Sequence, residues 1–320
     1  MTKFRSIEIC AGAGGQALGL ESAGFQHVAL VENDKNACNT LRHNRPNWNV
    51  CEMDVHDFSA LAYRDIDLFA GGVPCPPFSI AGRQLGERDE RDLFPQAIRI
   101  IGECNPKAVL LENVRGLLSK KFDAYRSRLN KELEKLGYFG QWKLITSSHY
   151  GVPQLRPRAI YVGLKSEYAS YFEWPKPHNS IKTVGDALYQ EMASAGWENA
   201  DQWRESANGI GPTLVGGSKK HGGADLGPTR AKRAWEKLGV NGKGIANEPP
   251  QAGFTGIPKL TIKMAALIQG FPEDWTFTGK KTPAYRQIGN AFPPPVAKEI
   301  GSKITSALQK NGRKWQNGRE

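Results

Sequence analysis

The chain has 320 residues and a formal net charge of +11, a balance that points to a polyanionic partner. Its apolar content of 39% suits a folded domain with a real core, and no apolar run is long enough to predict a membrane-spanning helix. Five cysteines, Cys10, Cys38, Cys51, Cys75 and Cys104, are scattered without a C-x-x-C pair. That argues against a zinc site or a disulfide framework and for a reducing cytoplasm.

The N-terminal "FRSIEIC" sets Glu8 inside an apolar run followed by glycines, the pattern of a first strand and not of a signal peptide. In chain order, "HVALVE", "NVCEMDV", "DIDLFAG", "KAVLLEN" and "AIYVGLK" also read as strands. "GQALGLESAG" and "DAYRSRLNKELEKLG" read as helices, the second with apolar residues at helical spacing. This alternation predicts an α/β, Rossmann-like fold with a mostly parallel, doubly wound sheet whose ligands bind at the carboxyl ends of the strands. After Leu164 the texture turns rich in Gly, Pro, Trp and Lys and predicts a smaller, loop-rich domain. "TIKMAALIQGF" then predicts a helix stopped at Gly270. A turn, an amphipathic helix and a frayed basic tail are expected to close the chain. The expected boundaries are 1–175, 176–280 and a returning segment 281–320.

"AGGVPCPPFS" places Cys75 among Pro74, Pro76 and Pro77 at the end of an apolar strand. Prolines pre-set this backbone, so the thiol reads either as a positioned nucleophile or as a small apolar residue on a stiff loop. "AGAGGQA" is formally G-x-G-x-x-A between strand and helix, and Glu32 closes the next strand, where a carboxylate can hold ribose hydroxyls. A dinucleotide site, an S-adenosylmethionine site and a plain tight turn all satisfy that pattern. Asp54 ends the third strand, in reach of an adenine amino group or serving as a helix cap. "LLENVRG" puts Glu112 and Asn113 at another strand end, and "GVPQLRPR" alternates Gln154, Arg156 and Arg158 just before a strand. Extended alternation predicts both arginines on one face.

In this order, "AGAGG", "VENDKNA", "GGVPCPPFS", "LLENV", "QLRPR", "LTIKMAALIQGFP" and "YRQIGNAFPPPV" resemble the DNA (cytosine-5)-methyltransferases over nearly the whole chain. The resemblance implies an enzyme that methylates carbon 5 of cytosine in duplex DNA, using S-adenosyl-L-methionine, as in restriction-modification. Cys75 would add as a thiolate to carbon 6. Glu112 would donate to ring nitrogen 3, and Arg158 would bind oxygen 2. Arg156 would steady the Pro-Cys loop or a phosphate. The base must be flipped out of the duplex, and "SIAGRQLGERDERDLF" (Ser79–Phe94) suits a closing lid.

The cofactor pocket carried over from the resemblance comprises Gly12, Gly14, Gly15, Glu32, Asp54, Pro74, Leu93 and Asn290. Expected DNA contacts are Ser79 and Gln84 in the loop, then Thr213, Lys219, Lys220, His221, Arg230, Lys232 and Arg233 in the second domain. No metal and no membrane are expected, and the resemblance implies a monomer whose cognate endonuclease, if any, is not physically bound. Departures are Cys10 where an aromatic often packs on adenine, Ala81 where some relatives have serine, and Lys263-Met264 where Arg-Glu is common. Rival readings are a tRNA methyltransferase of the same fold, a catalytically dead DNA-binding regulator, and a nicotinamide enzyme.

Overall fold

The computed structural model describes residues 4–74, 92–216 and 223–317, with residues 311–317 as backbone only. Seven strands, β1 (Phe4–Ile9), β2 (Phe25–Glu32), β3 (Val50–Glu52), β4 (Leu68–Gly72), β5 (Ala108–Val114), β6 (Tyr138–Thr146) and β7 (Pro157–Lys165), form one sheet. Its order is β3-β2-β1-β4-β5-β7-β6. Neighbours from β3 through β5 are parallel, whereas β7 runs antiparallel to both β5 and β6. Both faces are covered, so the central strands read as continuous apolar runs. Phe69, Val109 and Leu111 join one core with Phe94, Ile100 and Ile101. Leu68, Ala70, Ala108 and Leu110 join the other with Val296, Ile300 and Ile304. Edge strand β6 was missing from the predicted strands: Gly140, Gln141 and Lys143 interrupt it, and most of its residues are exposed.

The helices are α1 (Gly15–Ser22), α2 (Lys35–Asn44), α3 (Phe94–Cys104), α4 (Asp123–Lys135), α5 (Ser166–Ala169), α6 (Val184–Ala193), α7 (Ala200–Ser206), α8 (Thr229–Glu236), α9 (Ile262–Gln269), α10 (Lys281–Asn290) and α11 (Pro294–Asn317). The C-terminal return is built on close helix contact. A Cβ on Gly15 would stand 2.3 Å from Phe292 O, and one on Gly19 2.3 Å from Pro294 O. Larger residues there would push α11 off α1 and open the sheet's second core.

The predicted C-terminal turn is instead α10, because Pro283 falls in its first turn, where a proline is tolerated. Helix α11 also runs on through the tail expected to fray. The loop-rich stretch holds more helix than its Gly and Pro content suggested: α6 to α9 pack around Met192, Trp197, Trp203, Trp235 and Met264. Tyr285 and Ile288 of α10 join that same core, so α10 ties the second region to the sheet region.

Candidate active site

The sheet order diverges at the neighbours β1 and β4, and their carboxyl ends open the crevice where such folds bind ligands. The turn leaving β1 alternates left-handed residues, Cys10 at φ 52, Gly12 at φ 54 and Gly14 at φ 86, with Ala11 and Ala13. Glu32, at the end of β2, fastens it. Its Oε2 accepts Gly12 N at 2.8 Å, while Oε1 accepts Asn33 N at 2.9 Å and Asp34 N at 2.7 Å.

Two cavities share Cys10 and Glu32 as a common wall. The first, of about 220 Å³, brings together Gly12, Gly15, Glu32 and Asn290. The second, of about 190 Å³, brings together Glu32, Asp54, Pro74 and Leu93. Gly14 lines neither: it precedes α1 and faces Leu41 and Trp275, where a Cβ would meet Leu41 Cδ2 at 2.7 Å. Its missing side chain lets the turn pack against those two residues. Asp54 accepts hydrogen bonds from the backbone and ring of His56, and these hold its carboxyl below the ordinary aspartate range.

The first cavity is also lined by the polar side chains of Glu8, Gln16, Asp34, Arg286 and Gln287, which were not among the predicted site residues. Glu8 Oε2 and both polar atoms of Gln16 are buried without a partner. Burial, and then the like charge of Glu32, push the Glu8 carboxyl well above its ordinary range. Unpaired buried polar atoms are costly, so a wall of them implies a ligand that pairs with them. An ammonium and a carboxylate on one small molecule suit Glu8 and Gln16, and a ribose suits Glu32. These residues therefore fit a nucleoside that carries an amino-acid group. The signal for Glu8 was in the sequence, as an acid inside a buried apolar strand. Arg286 Nη2 reaches Asp34 Oδ2 at 3.4 Å on the same cavity's wall.

Next to this crevice, Arg158 Nε meets Glu112 Oε1 at 2.7 Å, with 13% of each side chain exposed. Residue 113 supplies the support. Asn113, 5% exposed, donates from Nδ2 to Val73 O at 2.7 Å and accepts Val114 N at 2.8 Å. The end of β5 is thereby tied to Val73-Pro74, immediately before Cys75. Leu93 N returns to Pro74 O at 3.5 Å. Cys75, Ser79 and Gln84, with the rest of the expected lid up to Arg91, lie outside the described residues.

Arg156 turns into the interior of the protein. It is fully buried, and its guanidinium donates to Leu214 O at 2.9 Å, Gly289 O at 2.9 Å and Ala291 O at 2.7 Å. Among the described residues it makes no bond to Val73 or Pro74, which Asn113 holds; the Pro-Cys loop itself lies outside them. The shared-face expectation fails because Arg156 sits at φ 29, outside extended geometry, and β7 begins only at Pro157. The four described thiols, Cys10, Cys38, Cys51 and Cys104, are all pushed up by burial, Cys38 and Cys104 to about 12. None of these four is poised as a nucleophile.

The profile of the C-5 cytosine-specific DNA methylases matches residues 4–306. The chain belongs to that family. It is 56% identical to the type II methyltransferase M.NgoMIV of Neisseria gonorrhoeae, over 96% of this chain and 99% of that protein. With M.NaeI of Lentzea aerocolonigenes, another type II methyltransferase, the identity is 54% over 98% of this chain and 77% of that one. Among solved structures, Entamoeba histolytica methyltransferase EhMeth aligns with TM-score 0.67 at 13% identity, covering 96% of this chain and 99% of that one. Dnmt2 of S. pombe aligns with TM-score 0.59 at 16% identity, covering 98% and 100%. These two likenesses are of fold.

The methylase acts on DNA and takes its methyl group from a donor. On the second region, Arg230 and Arg233 of α8 are exposed, while Lys232 is half-buried and paired with Asp225 at 2.7 Å. Thr213 is half-buried beside the buried Leu214. Lys219, Lys220 and His221 fall outside the described residues. The Lys263-Met264 departure packs on its own terms: Lys263 Nζ meets Glu191 Oε1 of α6 at 2.6 Å, and Met264 Sδ accepts the Thr261 N–H at 3.4 Å. Among the described residues no helix is long and apolar enough to cross a membrane, and no cluster of ligating side chains could hold a metal.

Proposed function

We propose that the enzyme methylates carbon 5 of a cytosine flipped out of duplex DNA, through a transient bond between Cys75 Sγ and carbon 6. The Glu112–Arg158 pair, beside the strand end that Asn113 ties to Val73-Pro74, carries this reading. S-adenosyl-L-methionine, when bound, supplies a methyl group activated on a sulfonium. Glu32 would hold its ribose, Asp54 and the Cys10 wall its adenine, and Glu8 and Gln16 its amino-acid end, with Gly12, Gly15 and Asn290 beside it.

The Cys75 thiolate adds to carbon 6, and the ring electrons move toward nitrogen 3, which takes a proton from Glu112. Carbon 5 is then electron-rich and captures the methyl group, whose former bonding pair stays with the departing sulfur. Loss of the carbon 5 proton to a base restores the double bond, expels Cys75 as thiolate and lets Glu112 recover its proton from nitrogen 3. Arg158 holds Glu112 in place through Nε, and the guanidinium donors that Pro157 O does not take would reach oxygen 2 of the base. Because burial disarms Cys10, Cys38, Cys51 and Cys104, the nucleophile falls to Cys75.

Arg230 and Arg233 would neutralise phosphates in the second region, which reads the sequence. The enzyme would act as a cytoplasmic monomer that protects DNA from a separate restriction endonuclease. A duplex with 5-fluorocytosine at the methylated position tests the chemistry, because fluorine cannot leave as the proton does. The expected product is a stable protein–DNA adduct mapped to Cys75 by peptide mass. Adduct formation at another residue, or turnover with no adduct, would overturn the mechanism.

A further inference from the structure

Three fully buried polar side chains, Gln154, Arg156 and Gln269, join the DNA-facing region to the wall of the first cavity. Leu214 is held by both of its backbone groups: its N–H donates to Gln154 Oε1 at 2.9 Å, and its carbonyl accepts Arg156 Nη1 at 2.9 Å. Because Gln154 Oε1 must accept from Leu214, its Nε2 points the other way. It donates to Ile268 O at 3.1 Å and to Gln269 Oε1 at 2.6 Å. Gln269 Nε2 in turn donates to Ala291 O, which Arg156 also holds. Ala291 lines the first cavity, as does its neighbour Asn290.

Both ends of this chain of bonds are tightly packed. Toward DNA, Trp235 of α8 packs against Gly211, where a Cβ would come within 2.3 Å of Cη2. Gly211 exchanges backbone bonds of 2.9 Å with Pro153 and Leu155, on either side of Gln154. Toward the cavity, a Cβ on Gly216 would stand 2.4 Å from Arg286 O and 2.6 Å from Asn290 Oδ1. A displacement of α8 and its exposed Arg230 and Arg233 therefore cannot be absorbed by loose packing before it reaches the α10–α11 junction.

We propose that Gln269 is a positioning residue that couples DNA engagement on α8 to methyl-donor binding beside Asn290; this rests on the DNA methyltransferase reading above. Each ligand favours the same arrangement of the junction, so each tightens the other. By linkage the tightening is equal in both directions. Gln269 is the one member whose loss strands nothing: Gln154 Nε2 keeps Ile268 O, and Ala291 O keeps Arg156.

The test titrates S-adenosylhomocysteine calorimetrically, with and without a short duplex carrying the site that bisulfite sequencing shows this enzyme to modify. Wild type is compared with Gln269→Met, which removes both bonds, and with Gln269→Glu. The carboxylate of Gln269→Glu keeps the bond from Gln154 but opposes Ala291 O. DNA should tighten binding to wild type by a factor within the usual allosteric range of about 5- to 150-fold. Both variants should bind the product alone within about 3-fold of wild type, yet lose most of the DNA-dependent gain. A merely structural role would lower the melting temperature and weaken binding equally with and without DNA. An unchanged ratio in both variants, or a wild-type ratio of one, overturns the inference. A wild-type chain that binds neither product nor duplex overturns the methyltransferase reading itself, and this inference with it.

Discussion

Replacing Arg156 separates its two possible roles. Arg156→Met keeps the length of the buried side chain but removes every donor, leaving Leu214 O and Gly289 O without their guanidinium bonds. Ala291 O retains Gln269 Nε2. Two orphaned buried carbonyls cost about 1–3 kcal/mol each. Removing a buried charge offsets part of this, so the expected net loss is about 2–4 kcal/mol. Arg156→Lys should be no better. A single ammonium cannot span three carbonyls on two segments, and it keeps a charge buried with fewer acceptors. Urea unfolding should show both variants with lower midpoints at unchanged slope. S-adenosylhomocysteine binding should weaken with them, since Gly289 and Ala291 flank Asn290. A phosphate contact predicts the opposite: stability intact, DNA affinity reduced, and lysine an adequate substitute. That second pattern would refute the role derived from the buried guanidinium.

Asn113→Asp should lower kcat by about 100-fold, because the base of the Pro-Cys loop loses its donor to Val73 O, while S-adenosylhomocysteine affinity measured by calorimetry stays near wild type. Glu8 has a raised pKa when folded, so the free enzyme binds more protons than its unfolded chain between the two values. Its stability is therefore highest below the unfolded glutamate value and falls as pH rises through the folded one, and Glu8→Gln should flatten that slope in urea titrations across pH. An ammonium arriving beside Glu8 should expel its proton, so calorimetry in buffers of differing ionisation enthalpy should show proton release for wild type and none for Glu8→Gln. Arg230→Ala with Arg233→Ala should reduce the salt slope of DNA binding by about 1.8, from about 0.9 per phosphate contact, whereas Lys232→Ala, already paired with Asp225, should change it little.

The central strands were legible because a sheet covered on both faces leaves unbroken apolar runs, and the ligand crevice followed from their alternation with helices. Edge strand β6 was illegible for the converse reason: with most of its residues exposed, nothing forces an apolar pattern on it. In the second region glycine and proline hid α6 to α8, whose stability comes from buried tryptophans scattered through the sequence and not from helical periodicity. Glu112, Asn113 and Arg158 were visible as residue types at strand ends. What Asn113 does was not visible, since a carboxamide bonded to a distant backbone carbonyl leaves no spacing to read. Glu8 was visible only as an anomaly, an acid where burial allows none without a partner.

The two arginines of "QLRPR" show how one proline assigns different work to like residues. Pro157 is the first residue of β7, where its missing N–H costs no ladder bond. Before it the chain is still turning: Ser147 Oγ donates to Arg156 O at 2.9 Å, and the left-handed Arg156 sends its side chain toward α10 and Leu214. After it the chain is strand, and Arg158 pairs in register with Val114, as Ile160 does with Glu112. Side chains two apart share a face, so Arg158 and Glu112 become diagonal neighbours, which is how they meet at 2.7 Å. The contact also needs β7 to be reversed. In a parallel β7 the start of the strand would lie at the opposite edge of the sheet, away from the crevice. A slip of one residue would turn Arg158 to the other face. The antiparallel strand at that place in the sheet is therefore a condition of the Glu112–Arg158 contact, because it brings the head of one strand to the tail of another.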